Sequence, residues 1–335
     1  MKAAVTAIAY HLPARVETNA DLSREFPEWN AEKIGAKTGI HCRHLSGASE
    51  CSSDLGVKAA EKLFQKGACR PDEIDFLLFC TQTPDYFLPT TACLMQERLG
   101  LPQSAGALDF NLGCSGFVYG LSLAKGLIET GQARTVLLIT ADTYTKLLKP
   151  SDRNVRTIFG DAAAATLVRA REDAPPDRDL IGPFVFGTDG RGAPNLIVKE
   201  GAFRARSSVT ADAAAPLVLE MNGPEIFNFS LRVVPDSVEK LLQKSSTGSE
   251  AVDFYFAHQA NQYMLEHLRD KMRLPKEKFF IGLRDCGNTV SASIPIALAD
   301  AASQGLLKRD ALLMLIGFGV GYSWGACFIR WRGGP

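Results

Sequence analysis

Three residues in this chain stand where an enzyme would place its working groups. Cys114 lies in NLGCSGF, His258 in HQAN and Asn288 in CGNTVSAS. Each sits where an apolar strand pattern gives way to a helical one, and α/β sheets gather their sites at such strand ends. A cysteine at the start of a helix meets the positive end of the helix dipole, which should favour thiolate and lower the thiol pKa. Backbone N–H groups at such a turn point outward, ready to hold an oxyanion. The chemistry these features suit is nucleophilic attack by sulfur on a carbonyl, with His and Asn as polar helpers. Each residue also has a plainer reading. Cys114 could pack as a small hydrophobe, His258 could be a hydrogen-bonded core histidine, and Asn288 could cap a helix. For Cys42, Cys51, Cys69, Cys80, Cys93, Cys286 and Cys327 the packing reading is the better one.

What favours the functional reading is a repeat. IDFLLFCTQT (Ile74–Thr83), LMQERLGLP, AGALDFNLGCSG and LLIT (Leu137–Thr140) recur, about half a chain later, as VDFYFAHQA (Val252–Ala260), HLRDKMRLP, KFFIGLRDCGNT and LMLI (Leu313–Ile316). Asp75 pairs with Asp253, and Gly113-Cys114 pairs with Gly287-Asn288. So long a period is not that of a solenoid. It implies a duplicated α/β half, with residues 1–170 forming one half and 171–335 the other. The duplication sets Asn288 where the first half has Cys114.

The elements that must carry these residues alternate along the chain, which favours α/β layers. Strands are expected at Ala3–Ala9, Phe76–Cys80, Gly106–Asn111, Val136–Thr140, Ala163–Val168, Phe254–Ala257, Phe279–Ile281, Ala311–Ile316 and Gly325–Trp331. Helices are expected at Asp54–Lys66, Ser115–Thr130, Pro224–Leu242 and Asn288–Gln304, with Pro235 and Pro295 as possible breaks. The charged, Pro-containing stretch Arg169–Asp179 reads as a linker, and Gly201–Pro216, rich in Ala and Ser, as a second flexible stretch.

Composition narrows the partners. Lys+Arg and Asp+Glu both number 37, so the net charge is zero. Nucleic acid and anionic membranes call for a basic surface, so neither is expected as the main partner. No apolar run reaches the ~18 residues of a membrane span. MKAAVTAIAYHLP is too short and too broken for a signal peptide and reads as a first buried strand. Eight scattered cysteines without a C-x-x-C pair fit a reducing, cytoplasmic setting. His41 and His44 with Cys42 lack a second pair of ligands, so no metal is expected. Gly317–Gly321 (GFGVG) lacks the Lys of a P-loop and reads as a tight turn lining a site.

At this point the chain resembles a known family. NLGCSGF, HQAN, GNTVSASIP and GFGVGYSWG, in this order, are similar to β-ketoacyl-acyl-carrier-protein synthase III of the thiolase superfamily. The likeness extends through TNADL, KTGI, Asp152-Arg153 and Phe159–Asp161 to Trp324-Gly325, nearly the whole chain. Elongating ketoacyl synthases carry His where this chain has Asn288, and thiolases carry a second cysteine in place of the GFGxG turn.

The resemblance implies a duplicated five-layer α/β/α/β/α sandwich. It implies that Cys114 takes an acyl group from a thioester, and that the N–H of Cys114 and one from Gly319–Val320 hold the oxyanion. His258 and Asn288 would steady the enolate left when a malonyl thioester loses CO₂, and Phe318 would crowd the malonyl carboxylate. Substrates would be an acyl-CoA or acyl carrier protein and a malonyl thioester, with no cofactor, and the protein would be a homodimer. Arg153 matches an adenine-binding Arg, Lys37 a positive docking residue, Phe227 and Asn261 the pantetheine tunnel, and Leu88 the loop that closes the partner subunit's acyl tunnel.

Some positions depart from the family. Lys33 stands about where an adenine-stacking Trp is found, while Trp29 lies further upstream. Asn228 and Tyr263 replace basic docking residues, and Val320 replaces a Gly. These departures point to a specialised member, for which acetyl-CoA would be a poor substrate compared with a longer or branched acyl thioester. Two other readings are transfer of the acyl group to oxygen or nitrogen without decarboxylation, and a non-catalytic partner that binds acyl carriers.

Overall fold

The computed structural model describes residues 1–175, 178–204 and 217–333. In the first half β1 (Lys2–His11) is followed by a side ribbon, β2 (Arg15–Thr18) and β3 (Cys42–Leu45), enclosing helices α1 (Asn19–Glu25) and α2 (Ala31–Thr38). Then come α3 (Ser52–Gln65), β4 (Phe76–Cys80), α4 (Thr91–Arg98), β5 (Gly106–Phe110), α5 (Gly116–Glu129), β6 (Thr135–Asp142), the one-turn α6 (Arg153–Arg156) and β7 (Ala162–Arg171). The second half holds β8 (Ile181–Thr188), a small ribbon of β9 (Leu196–Val198) and β10 (Leu219–Met221), and α7 (Gly223–Ser245). It continues with β11 (Phe254–Ala257), α8 (Gln262–Lys271), α9 (Ser293–Ser303), β12 (Leu312–Gly319) and β13 (Ser323–Arg330).

The two large sheets repeat one topology. The first has the order β1-β7-β6-β4-β5 and the second β8-β13-β12-β11. In the first, β6, β4 and β5 run parallel, and β7 and β1 antiparallel. In the second, β11 and β12 are parallel, and β13 and β8 antiparallel. Where the second sheet would have its counterpart of β5, Phe279 makes a single bridge to Tyr255. The strand expected at Phe279–Ile281 therefore shrinks to one residue. After Phe280 the chain turns away, and the Gly282 N–H is taken by the Gln259 side chain at 2.8 Å.

Asp75 and Asp253 do the same work in both sheets. Asp75 accepts the N–H groups of Arg134 and Thr135 at 2.7 and 2.9 Å, where β6 begins. Asp253 accepts the N–H of Leu312 at 2.7 Å, where β12 begins.

Side-chain alternation along the strands builds five layers. Leu77 and Phe79 of β4 face Leu55 and Leu63 of α3 and Met95 of α4 in an outer layer. Leu78, between them, faces inward onto Phe117 and Leu121 of α5, together with Ile294 and Leu298 of α9 and Phe256, Leu313 and Leu315 of the second sheet. Tyr255, Met314 and Ile316 face the opposite outer layer, Val234 and Leu241 of α7 and Leu265 and Leu268 of α8. This is the thiolase-type α/β/α/β/α sandwich. The central strands β6 and β12 are buried along their whole lengths, as a sheet covered on both faces requires.

Local expectations fare unevenly. β8 went unread because Gly182, Pro183 and Gly187 look like loop residues, yet an edge strand tolerates them. β7 runs through Arg171, paired to Lys2, so the linker expected from Arg169 begins later. The stretch Gly201–Pro216 lies, from residue 205 on, outside the described residues. Helix α7 continues through Pro235. Pro295 falls in the first turn of α9, where a missing N–H breaks no helical bond.

Candidate active site

Cys114 ends the turn between β5 and α5 and is 6% exposed. Its apolar surroundings are Tyr144, Val155, Phe159, Leu196, Leu219 and Val290, with Val320 at the edge. β12 presses its end against this turn. A Cβ added to Gly317 would lie 2.7 Å from the Ser115 Cα, and one on Gly319 would lie 2.8 and 2.9 Å from the Cys114 Cβ and Sγ. Only glycine lets the strand end approach the sulfur so closely. The Ser115 and Ser323 hydroxyls also tie the turn to the start of β13.

The electrostatics correct the expected thiol pKa. Burial pushes the Cys114 thiol up to about 12, and the Asp142 carboxylate adds to the push. The backbone N–H groups of Cys114 and Val320 act in the opposite sense without prevailing. Desolvation of a thiolate outweighs the turn's donors in a site this dry. Substrate-free, Cys114 rests as a thiol.

His258 follows β11 and is 2% exposed. Its own N–H is bound by the Ile316 carbonyl at 2.8 Å, its ring meets Phe318 edge-on at 5.6 Å, and its Nδ1 lies 2.7 Å from the Ser293 hydroxyl. Burial holds the imidazole pKa down to about 3, so the ring is neutral at physiological pH. If the Ser293 hydroxyl donates to Nδ1, the single ring proton sits on Nε2, which becomes a donor.

Asn288 does not cap a helix. Its backbone bridges to the first half: its N–H binds the Ile158 carbonyl at 2.9 Å and its carbonyl takes the Gly160 N–H at 3.0 Å. Its side-chain oxygen accepts the Val290 N–H at 3.0 Å, which leaves the amide NH₂ to point elsewhere. A 3-10 turn, Val290–Ala292, separates it from α9. Val290 has φ 53, a left-handed conformation costly for a β-branched residue and typical of functional turns.

The other candidate residues fall into separate contacts. Trp29, between α1 and α2, has the Lys37 ammonium 4.8 Å and the Arg153 guanidinium 5.4 Å from its ring centre. Arg153 also pairs with Glu28. Lys33 sits in the first turn of α2, so the aromatic plate beside Arg153 is Trp29 and was not lost with Lys33. Phe227 stacks on Tyr263 at 5.7 Å. Asn261 caps α8, its side-chain oxygen taking the Met264 N–H at 2.9 Å. Among the described residues Leu88 is brought to no site of its own chain: it is 81% exposed, beside exposed Tyr86 and Phe87.

Sequence reasoning missed Ser293, Asp142, Ser291 and the place of Trp29. A serine or aspartate in an apolar stretch carries no sign of the partner that folding brings to it.

Comparison with known proteins settles the family. Models described as 3-oxoacyl-[acyl-carrier-protein] synthase III and its C-terminal domain match residues 108–190 and 242–331. A β-ketoacyl-[acyl-carrier-protein] synthase III of Natranaerobius thermophilus is 35% identical over 98% of this chain and 99% of its own. The chain belongs to the β-ketoacyl-acyl-carrier-protein synthase III family. A solved 3-oxoacyl-(acyl-carrier-protein) synthase III, 52% identical, superposes with a TM-score of 0.95 over 99% of this chain and 100% of the other. A priming β-ketosynthase from the R1128 polyketide pathway, 27% identical, reaches 0.89 over 100% and 97%. The chain is thus an acyltransferase of the decarboxylative Claisen type, which joins an acyl thioester to a malonyl thioester.

Proposed function

We propose that Cys114 carries the acyl group and that His258 and Asn288 hold the enolate. The Cys114 sulfur attacks the acyl thioester carbonyl, and the donor thiol leaves with a proton. The N–H groups of Cys114 and Val320, at the Gly319–Val320 turn, receive the oxyanion. A malonyl thioester then takes the donor's place. Its carboxylate C–C bond breaks, CO₂ departs, and the electron pair moves onto the thioester oxygen. Donors from His258 Nε2 and the Asn288 amide stabilise that charge, with Phe318 lining the carboxylate's side. The enolate carbon attacks the acyl-Cys114 carbonyl, the C–S bond breaks, and a β-ketoacyl thioester leaves.

The observation that carries this reading is the contact of the Gly319 backbone with the Cys114 sulfur, which sets Val320's N–H beside it. The reading requires no metal or cofactor, because the thioester carbonyl itself takes up the electrons. It also explains both polar fixings. Ser293 on Nδ1 and Val290 on Oδ1 leave each side chain a donor to offer. That suits condensation better than simple transfer to oxygen or nitrogen, or a silent carrier-binding partner.

Trp29 with Lys37 and Arg153 supports CoA as one donor, its adenine against the ring. Phe227 and Asn261 would flank the pantetheine arm. Asn228 and Tyr263, in place of basic residues, leave fewer charges to receive an acidic carrier protein. We place the enzyme in the cytoplasm: all eight cysteines are free, and no helix among the described residues is long and apolar enough to cross a membrane.

Intact-mass measurement with a panel of acyl-CoAs tests the nucleophile. Wild type should gain one acyl mass and Cys114→Ala none. Equal labelling of both would overturn the assignment. In the same panel acetyl-CoA should lag behind a longer or branched acyl thioester.

A further inference from the structure

Asp142 closes strand β6 and is fully buried. Its three hydrogen-bond donors are neutral: the Gln82 N–H at 2.8 Å, the Ser291 N–H at 3.3 Å and the Ser291 hydroxyl. Among the described residues, the titratable groups around it are Asp161, Cys80, Cys114 and Tyr144, none of them cationic. Gln82 is itself held by the Tyr144 hydroxyl.

An unpaired carboxylate is an expensive group to bury, and here burial raises its pKa to about 7. It is also unfavourable to the nucleophile, since its charge works against thiolate at Cys114. A site built only to ionise Cys114 would do better without it. What the carboxylate does hold is Ser291, three residues beyond Asn288 in the strained turn at Val290. Asn288 is tied to Ile158 and Gly160 on one side of that turn, and Asp142 ties the other side to the half that carries Cys114.

We propose that Asp142 is a positioning residue for the condensation: through Ser291 it holds the Asn288 turn so that the Asn288 amide reaches the enolate oxygen. This rests on the role given to Asn288 above. It predicts that loosening the tie harms decarboxylation, the step that uses Asn288, and spares acylation of Cys114. It also predicts that removing the charge makes the thiol more reactive while acylation is kept, whereas damage to the fold, which would expose the buried thiol as well, would lose acylation with it.

The test measures Cys114 acylation, malonyl decarboxylation and Cys114 alkylation by iodoacetamide at pH 7. The proteins are wild type and the variants N288A, S291A, D142A and D142N. Asn288→Ala should lose decarboxylation about a hundredfold, as expected for one oxyanion donor. Asp142→Ala should lose it about tenfold, and Ser291→Ala several-fold, both with acylation kept, as expected for lost hydrogen bonds to a charged group. Asp142→Asn keeps an acceptor for Gln82 and a partner for the Ser291 hydroxyl. It should restore part of the loss while its thiol alkylates several-fold faster than wild type.

If Asn288→Ala decarboxylates like wild type, the role of Asn288 falls, and this proposal with it. If Asn288→Ala fails but the Asp142 and Ser291 variants decarboxylate normally, the proposal alone is overturned. Equal loss of acylation and decarboxylation in Ser291→Ala would also overturn it. Should Asp142→Ala not fold, Ser291→Ala and Asp142→Asn decide the matter.

Discussion

The protonated state of Cys114 has a measurable signature. With the thiol pushed up to about 12, the thiolate fraction grows with pH throughout the neutral range. Alkylation of Cys114 should therefore rise about tenfold per pH unit between 7 and 9, with no plateau. A midpoint below pH 8 would mean that the turn's N–H groups outweigh burial. His258 should behave in the opposite way, as a group already neutral. With its pKa held down to about 3, it gains its proton only below pH 4, so nitrogen-15 NMR should show one Nε2–H tautomer, unchanged from pH 8 to 5. Titration near pH 6.5 would refute this. Cys114, His258 and Asn288 stood out as candidates because each sets a nucleophilic or polar side chain where the sequence pattern changes from strand to helix. Ser293 and Asp142 did not, since their importance lies in partners 35 and 149 residues away.

At the scale of elements, Trp29, between α1 and α2 and beside Arg153 of α6, is where the proposed function puts the adenine of an acyl-CoA donor. Replacing Trp29 by Ala removes a stacking surface of the kind that contributes ~1–3 kcal/mol per base. The KM for acyl-CoA should rise about tenfold, while the KM for the same acyl group on a pantetheine thioester stays as it was. Equal change in both would remove adenine from the site. The position of the aromatic plate could not be read from spacing alone. Trp29 lies in a loop, and the fold of α1 against α2, not sequence distance, brings it to Arg153. The same limit hid β8 and cut short the strand at Phe279. Pro183 is permitted only because β8 lies at an edge, and the chain leaves the sheet after Phe280, where Gln259 offers Gly282 another partner.

For the whole molecule, the exposed Tyr86-Phe87-Leu88 and the edge strand β5 call for a cover. A two-fold homodimer would provide one, each loop reaching towards its partner's acyl tunnel. Light scattering at micromolar concentration should give twice the chain mass, and Phe87→Asp with Leu88→Asp should lower it. A wild-type monomer would contradict the dimer. The layered architecture was the most legible feature of all. Asp75 and Asp253 show why: each entry aspartate must satisfy the N–H of the neighbouring central strand, so both halves kept it at the same place in the pattern.

That matching strand order also says something about origin. Cys114 and Asn288 are corresponding positions, and both come to the junction between the halves, where an approximate two-fold axis of the chain with itself would pass. Two identical halves would present the same side chain from both sides, and two facing thiols would compete for a single charge. Once the halves are joined in one gene, the two positions can mutate independently. In the proposed mechanism one keeps a sulfur that holds a substrate covalently, and the other an amide that steadies a carbanion. A nearly symmetric backbone thus supports a reaction whose two partners are treated in opposite ways.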